Sequence, residues 1–402
     1  MTFHFQAQAV QLTTSQGQQI ISWQESGREF SYVWHSENQT SAPKKICLAD
    51  DRISADSAYK LMCEGCALLW QGDYHQARQL LMALSRRIDK KKQNRKPTES
   101  VTTSFHKHRQ DQAQKARILG MLLIPFAAGF IIPLRRAPQV SEICQQVFSA
   151  DYSSPAQAQL ADTNFTLSLR ELLGLIGAYE WRKNGVMITA LNGKIHPYYG
   201  VFSPVRGEYL ELIQNAQFAG TASQITAFDI GTGTGVISAI LAKRGVTKII
   251  ATDQDPRALA CAQFNLQQLG YQSHVKLLKQ DLFPEGHADL IVCNPPWLPA
   301  KPNAAIEYAL YDADSQMLKR FLLGLKNHLN ADGEAWLIMS DFAEHLGLRQ
   351  FGELERWIME AGLRVKNRLD ARPQHKKTQD QQDPLHLARS KEKTSLWVLN
   401  LA

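Results

Sequence analysis

Apolar and polar positions alternate along residues 3–36, with Gly17 and Gly27 between the runs. A period of two predicts a few short strands there. From Ser54 to Ile88 the period lengthens. Leu61, Leu68, Leu69, Ala77, Leu80, Leu81 and Leu84 recur at spacings of three, four and seven, broken at Gly72-Asp73, which predicts two packed helices. Ile118 to Leu134 is seventeen residues without a charge, holding Pro125 and Pro133. A run that short, divided by a proline, predicts a buried strand or loop segment joining two halves rather than a membrane span. Leu167 to Ile176 predicts a helix, and Val186-Met187-Ile188 with Lys194-Ile195-His196 a small hairpin.

Beyond these, apolar runs and helical patterns alternate to the end of the chain. Strands are predicted at Ile225–Ile230, Lys248–Asp253, Val275–Lys279, Ala288–Asn294, Gly333–Ser340, Leu363–Leu369 and Leu396–Leu401. Helices are predicted at Val236–Arg244, Pro256–Leu269, Ser315–Leu329 and Leu348–Ala361. Such alternation implies a parallel sheet covered on both faces, with ligands at the carboxyl ends of its strands. The polar stretch Gln374–Lys393 reads as a surface loop. The expected organisation is an α+β domain at 1–89, a basic linker and helix at 90–117, a helical connecting segment at 118–196 and a Rossmann-like α/β domain at 197–402. The part before that last domain is expected to be smaller, mixed and largely helical.

Chemistry concentrates between Phe228 and Trp297. The turn Asp229-Ile230-Gly231-Thr232-Gly233-Thr234-Gly235 directly follows an apolar run. Glycines at that spacing bring the backbone close to a ligand and point a helix N-terminus at its carboxylate or phosphate. Eighteen residues beyond Gly235 the next strand ends in Asp253, placed to bind ribose hydroxyls; Asp255-Pro256 opens the helix after it. Ile291-Val292-Cys293 then runs into Asn294-Pro295-Pro296-Trp297, a rigid polar turn ending in an aromatic.

This order of motifs resembles the class I S-adenosylmethionine (SAM) methyltransferases, and within them the branch that methylates planar nitrogen and carries Asn/Asp-Pro-Pro-aromatic after the fourth strand. The resemblance runs from about Tyr198 to the C-terminus. Val201-Phe202-Ser203-Pro204-Val205-Arg206-Gly207-Glu208-Tyr209-Leu210 is similar to the segment ahead of the first strand in the release-factor glutamine methyltransferases, of the small-domain methyltransferase type. Trp297 stands where that family typically has Tyr, and the N-terminal half does not look like the family's small helical domain. The resemblance implies a seven-stranded doubly wound sheet and SAM as cofactor. It implies Gly231, Gly233 and Gly235 at the donor's amino-acid and ribose end, Asp229 near its ammonium, Asp253 on the ribose, Asp281 at the adenine amino group and Asn294 between donor and acceptor. Phe202, Pro204 and Arg206 would wall the donor or acceptor pocket. His196, Tyr198 and Tyr199 read as packing residues.

The implied chemistry is orientation rather than proton abstraction. The nitrogen of an amide or aromatic amine has its lone pair delocalised; the Asn294 side-chain oxygen and the Pro295 carbonyl can accept both of its hydrogens and aim it at the methyl. Two prolines hold these groups rigidly, and Trp297 can stack on a flat acceptor or close over its own domain.

Composition narrows the partners only in part. The 402 residues are 44% hydrophobic, enough for two buried cores. The net charge of +7 favours an anionic partner such as RNA, DNA or the ribosome. Arg86–Arg136 holds thirteen Lys or Arg against three acids, so it is either a solvated linker and helix face or a nucleic-acid grip. Cys47, Cys63, Cys66, Cys144, Cys261 and Cys293 form no disulfide framework. Cys63-Glu64-Gly65-Cys66 has no second pair of matching spacing, so structural cysteines on a helix face are expected and no metal. Without an N-terminal signal pattern, a cytoplasmic location with reduced thiols is expected. Three functions stand at this point: methylation of a protein glutamine amide, methylation of an exocyclic amino group of adenine or guanine in RNA or DNA, and a non-catalytic SAM-responsive binding module.

Overall fold

The structure, a computed structural model, describes residues 5–15, 18–93, 100–149, 157, 159–204, 207–302, 305–373, 380–381 and 383–402. These fall into two units. The first comprises the described residues of Met1–Pro97 and Lys107–Tyr179, the second those of Thr98–His106 and Glu180–Ala402.

The alternating N-terminal stretch forms β1 (Gln8–Ala9), β2 (Gln11–Ser15), β3 (Gln18–Glu25) and β4 (Arg28–Trp34), with β3 and β4 joined at Ser26-Gly27. They belong to an eight-stranded mixed sheet of order β1-β5-β6-β7-β8-β4-β3-β2. Its other strands are β5 (Lys45–Ala49), β6 (Cys66–Trp70), β7 (Leu122–Phe126) and β8 (Phe165–Ser168). The helices of this part are α1 (Ala55–Cys63), α2 (Tyr74–Gln93), α3 (Val101–Leu119), α4 (Ser141–Val147) and α5 (Leu169–Asn184).

Several expectations change here. Leu68 and Leu69 lie on β6 between two helices, not on a helix. A strand buried along its whole length is a continuous apolar run, which has no period to distinguish it from a helix face. Cys63 is exposed at the end of α1 while Cys66 is buried in β6, so the two do not share a helix face. Among the described residues no group of three or more His, Cys, Asp or Glu is placed to hold a metal ion. The uncharged run supplies the buried strand β7, as expected, while its ends lie in α3 and in turns where Ile131 is exposed. The segment 118–196, expected to be a helical connection, supplies β7 and β8, and Leu167-Ser168 are strand residues ahead of α5.

Helix α2 continues through Lys90-Lys91-Lys92 to Gln93, where a linker was expected; the rest of that predicted linker, 94–98, lies outside the described residues. Part of the basic surplus is neutralised locally. Arg87 pairs with Asp56, Lys115 with Asp89 at 2.6 Å, and both Arg135 and Arg136 with the buried Asp73. The two guanidiniums hold the Asp73 carboxyl far below the usual range.

In the second unit the expected hairpin forms from β9 (Val186–Ile188) and β10 (Gly193–Ile195). After α6 (Glu208–Asn215) comes the alternation itself: β11 (Thr226–Ile230), α7 (Val236–Lys243), β12 (Lys248–Asp253), α8 (Pro256–Gln268), β13 (Val275–Lys279), β14 (Ala288–Cys293), α9 (Gln316–Leu325) and β15 (Leu329–Ser340). Then follow α10 (Phe342–His345), α11 (Glu353–Glu360), β16 (Leu363–Ala371), α12 (His386–Arg389) and β17 (Thr394–Leu401). The sheet order is β13-β12-β11-β14-β15-β17-β16. Strands β11 to β15 are parallel to their neighbours among themselves, whereas β17 runs antiparallel to both β15 and β16. The expected all-parallel sheet is corrected at this strand, because an apolar run carries no direction. The predicted surface loop before β17 also holds buried groups, among them Leu385, Ala388 and Glu392; its residues 374–379 and 382 lie outside the described set.

Period-two alternation divides the sheet's side chains between two apolar layers. Ala227, Leu290, Val292, Trp336 and Ile338 face one; Phe228, Ile230, Ile291, Cys293 and Leu337 face the other. Phe105 of α3 packs with Phe342, Leu346, Leu385 and Ala388 in a separate cluster of this unit. Among the described residues no helix is long and apolar enough to cross a membrane.

Candidate active site

The carboxyl ends of β11, β12, β13 and β14 bring together Asp229, the glycine turn, Asp253, Asp281 and Asn294. Gly231, Gly233 and Gly235 all have positive φ, at 71°, 55° and 77°. The reasons differ. A Cβ on Gly235 would stand 3.1 Å from the Cα of Ala262, so this glycine lets α7 meet α8. A Cβ on Gly233 would meet nothing within 4 Å, so its left-handed backbone serves open space at the mouth of the turn.

Asp229 sits at the end of β11 with no exposed surface. Its Oδ2 accepts from Thr232 Oγ1 at 2.7 Å, Ser238 N at 3.1 Å and Ser238 Oγ at 2.6 Å. Its Oδ1, equally buried, has no hydrogen-bond partner among the described residues. Burial pushes this carboxyl above the usual carboxylate range, and the nearby Asp253 pushes in the same direction. An unpaired buried carboxylate oxygen is costly, so the position has room for a hydrogen-bond donor or a proton.

Asp253, at the tip of β12, accepts from Gly233 N on Oδ2 and from Asp255 N on Oδ1, both at 3.0 Å. The acid is thereby fixed against the glycine turn, and its partial burial raises its carboxyl too. Asp281 follows β13 and is held by Gln254 Nε2 at 2.9 Å and by Arg320 Nη2 at 2.5 Å. It stands exposed beside Asp253, with both oxygens already accepting.

Asn294 follows the last residue of β14. Its Oδ1 accepts from the Trp297 indole N–H at 3.0 Å, and its side chain shares a hydrogen bond with the buried Tyr209 of α6. Trp297 is half-buried and packs against both apolar layers of the sheet. Pro295 is buried, and Phe202 and Pro204 are half-buried and buried in turn. Arg206 lies outside the described residues. His196 and Tyr198 pack as expected. The His196 ring takes a 2.6 Å contact at Nδ1 with the Arg182 carbonyl and an edge contact with Phe264, and Arg182 lies 3.5 Å over the Tyr198 ring.

Sequence reading missed three residues of this constellation. Ser238 is the only hydroxyl in the apolar helix α7, which could have marked it as facing a polar partner. Asn265 accepts from His196 N at 2.7 Å and donates to the Thr234 carbonyl at 2.9 Å, bolting the hairpin to the glycine turn; a lone buried amide on the apolar face of α8 was its signal. Tyr209 left no signal, since a tyrosine on an amphipathic helix reads as core.

Residues 200–365 match the family described as Methyltransferase small domain. The second unit carries a SAM-dependent methyltransferase domain. The chain is similar to a candidate protein N5-glutamine methyltransferase of Methanocaldococcus jannaschii, with 29% identity over 39% of this chain and 79% of that protein. It is similar to the release factor glutamine methyltransferase of Cereibacter sphaeroides, with 45% identity over 20% of this chain and 30% of that protein. It is also similar to the tRNA1(Val) (adenine(37)-N6)-methyltransferase of Pedobacter heparinus, with 31% identity over 30% of this chain and 54% of that protein. Of the last two relatives the chain therefore spans about a third and about half.

The residues present fit SAM. The ligand is cationic at its sulfonium and its ammonium, and the methyltransferase cleft offers two raised carboxyls, one with an unpartnered buried oxygen. When bound, SAM supplies a methyl on a sulfonium, an electrophile that needs little activation. The protein's share is to hold the donor, to exclude water and to orient an incoming nitrogen.

Proposed function

We propose that this chain transfers a methyl group from SAM to a planar nitrogen held by Asn294-Pro295-Pro296-Trp297, and that the acceptor is a protein glutamine side chain. The single observation that carries the reading is the rigid Asn-Pro-Pro-Trp turn at the end of β14, with Asn294 Oδ1 fixed by an indole N–H. A side-chain carbonyl has two acceptor sites, so one donor from Trp297 leaves the other for an acceptor N–H. The Pro295 carbonyl takes the second N–H. No general base is needed, because the nitrogen loses its proton only after the methyl has moved.

Asp229 Oδ1 serves the donor's ammonium, Asp253 the ribose, Asp281 the adenine edge, and Gly231, Gly233 and Gly235 admit the donor close to the backbone. Phe202 and Pro204 wall the acceptor side, and Trp297 both orients Asn294 and offers a ring edge to a flat acceptor. The similarity of residues 201–210 to the glutamine methyltransferases, and two relatives named for glutamine, support the amide. The compartment consistent with such acceptors is the cytoplasm, with release factors or ribosomal proteins as the partner class.

Methylation of an adenine amino group is the second reading. It is favoured by the relative named for adenine 37 of a tRNA and by the basic segment Arg86–Arg136. The test is labelled SAM incubated with the protein and extract of cells lacking its gene, the product divided between nuclease and protease. Label lost to protease alone, recovered as methylglutamine, is the expected result. Label lost to nuclease would transfer the assignment to the base.

A further inference from the structure

The acceptor turn rests on a buried cation that the sequence did not advertise. Arg349, only 4% exposed, lies just past the Gly347 turn beyond α10. Its Nη2 donates to the backbone oxygen of Trp297 at 3.3 Å and to Ser315 Oγ at 3.4 Å, and its Nη1 to Glu344 Oε1 at 3.4 Å. One guanidinium thus joins the last residue of the Asn-Pro-Pro-Trp turn to the residue that opens α9. That helix reaches the donor side, since a Cβ on Gly231 would lie 3.5 Å from Met317 Cε.

The junction is otherwise expensive to maintain. Ser315 and Asp314 both hold left-handed backbone, at φ 53° and 55°, which is strained for a residue with a Cβ. Asp312 anchors the first turn of α9, its carboxylate accepting from Met317 N at 3.0 Å and Leu318 N at 3.1 Å. Arg349 is itself poorly compensated, with Nε and the Oε2 of Glu344 lacking partners among the described residues. A buried, loosely paired cation adds little to stability compared with an apolar side chain of similar volume. Its value lies in reaching Trp297 and Ser315 from one nitrogen while a second holds Glu344, a division the planar fork of arginine makes and a point-charge ammonium does not.

We propose that Arg349 is a positioning residue for methyl transfer, setting the acceptor turn relative to the donor loop by clamping the Trp297 carbonyl to Ser315. The inference rests on reading Asn294–Trp297 as the acceptor turn. Displacing a reactant by an ångström costs about a hundredfold in rate, so loss of the clamp acts on turnover and leaves donor binding alone.

The experiment compares Arg349→Met, Arg349→Lys and Ser315→Ala in the full chain. The readouts are SAM affinity by calorimetry, amide hydrogen exchange by mass spectrometry, and the methylation rate as extract of cells lacking the gene is titrated to saturation. In Arg349→Met the saturated rate falls about a hundredfold. In Ser315→Ala, which removes one hydrogen bond, it falls about fivefold. SAM affinity stays within about twofold in both. Arg349→Lys keeps the charge but does not restore the rate. Exchange at peptides covering Leu298, Asp312 and Met317 rises in all three variants while β11 and β12 stay protected. Unchanged exchange there, or a loss of SAM affinity parallel to the loss of rate in Ser315→Ala, overturns the proposal. If wild type methylates nothing in the extract, the function reading fails while the exchange result still decides the clamp.

Discussion

The Trp297 indole N–H lies 3.0 Å from Asn294 Oδ1, so the aromatic of the acceptor turn is a hydrogen-bond donor to the amide of the same turn. That contact fixes which face of the Asn294 side chain is oxygen, and it differs from a ring that only stacks. Trp297→Phe keeps a flat ring and deletes the donor. A neutral hydrogen bond contributes about 1 kcal/mol, so turnover should fall about fivefold with SAM affinity unchanged. Full activity in the Phe variant would reduce Trp297 to a stacking or packing role.

Tyr209 holds the other side of the same amide. Tyr209→Phe removes only a hydroxyl, at a stability cost of about 1 kcal/mol measurable by denaturant titration. The methylation rate should fall five- to tenfold, and calorimetry should find SAM binding intact. Loss of stability without loss of rate would place Tyr209 in the core alone.

The two glycines that face different neighbours should fail differently. In Gly235→Ala, left-handed strain adds to a clash with the Ala262 backbone, for about 3 kcal/mol of lost stability. Gly233→Ala should cost about 1 kcal/mol, since its Cβ enters open space, yet it should abolish most SAM binding if the donor takes that space as proposed. Thermal melts and calorimetry on the pair distinguish them, and retained SAM affinity in Gly233→Ala would move the donor elsewhere.

Much of this site was legible because its chemistry is tied to strand ends. The apolar runs set β12 and β13 at their observed limits, and a strand end followed by glycines or an acid places Asp229 and Asp253 without further information. The features that the sequence concealed depend on distant packing. Leu68 and Leu69 match a helical spacing until β5 and β7 pair with their strand on either side. The direction of β17 is set by the return path after β16, which no local pattern encodes. Ser238, Asn265, Tyr209 and Arg349 act through contacts made across 9, 31, 85 and 52 positions of chain, beyond the reach of any motif.

With Asp229 on the donor's ammonium, as proposed, SAM binding should be sensitive to acid at a higher pH than an ordinary carboxylate would make it. Burial raises the Asp229 pKa in the fold. The folded state therefore holds a proton more tightly than the unfolded chain. Its contribution to stability is present below the unfolded pKa and is lost as pH rises through the raised folded value. A cationic ligand needs the ionised form, so SAM affinity should fall as pH drops through the same raised value. Calorimetric titrations from neutral pH down into the ordinary carboxylate range should show this inflection. Asp229→Asn should bind SAM weakly; Asp253, also raised, leaves a residual dependence in that variant. A SAM affinity flat down to the ordinary carboxylate range would contradict the assignment of Asp229 to the ammonium.

The most direct test separates holding the donor from presenting the acceptor. SAM dissociation constants and methylation rates would be measured side by side for wild type, Asn294→Ala and Asp253→Ala. The account predicts that Asn294→Ala loses a hundredfold or more in rate, on the order seen when a preorganised polar group is removed from a reacting centre, and keeps SAM affinity within about threefold. Asp253→Ala should weaken SAM itself. Equal loss of SAM binding in both variants, or undiminished methylation by Asn294→Ala, would contradict the claim that the Asn-Pro-Pro-Trp turn presents the nitrogen.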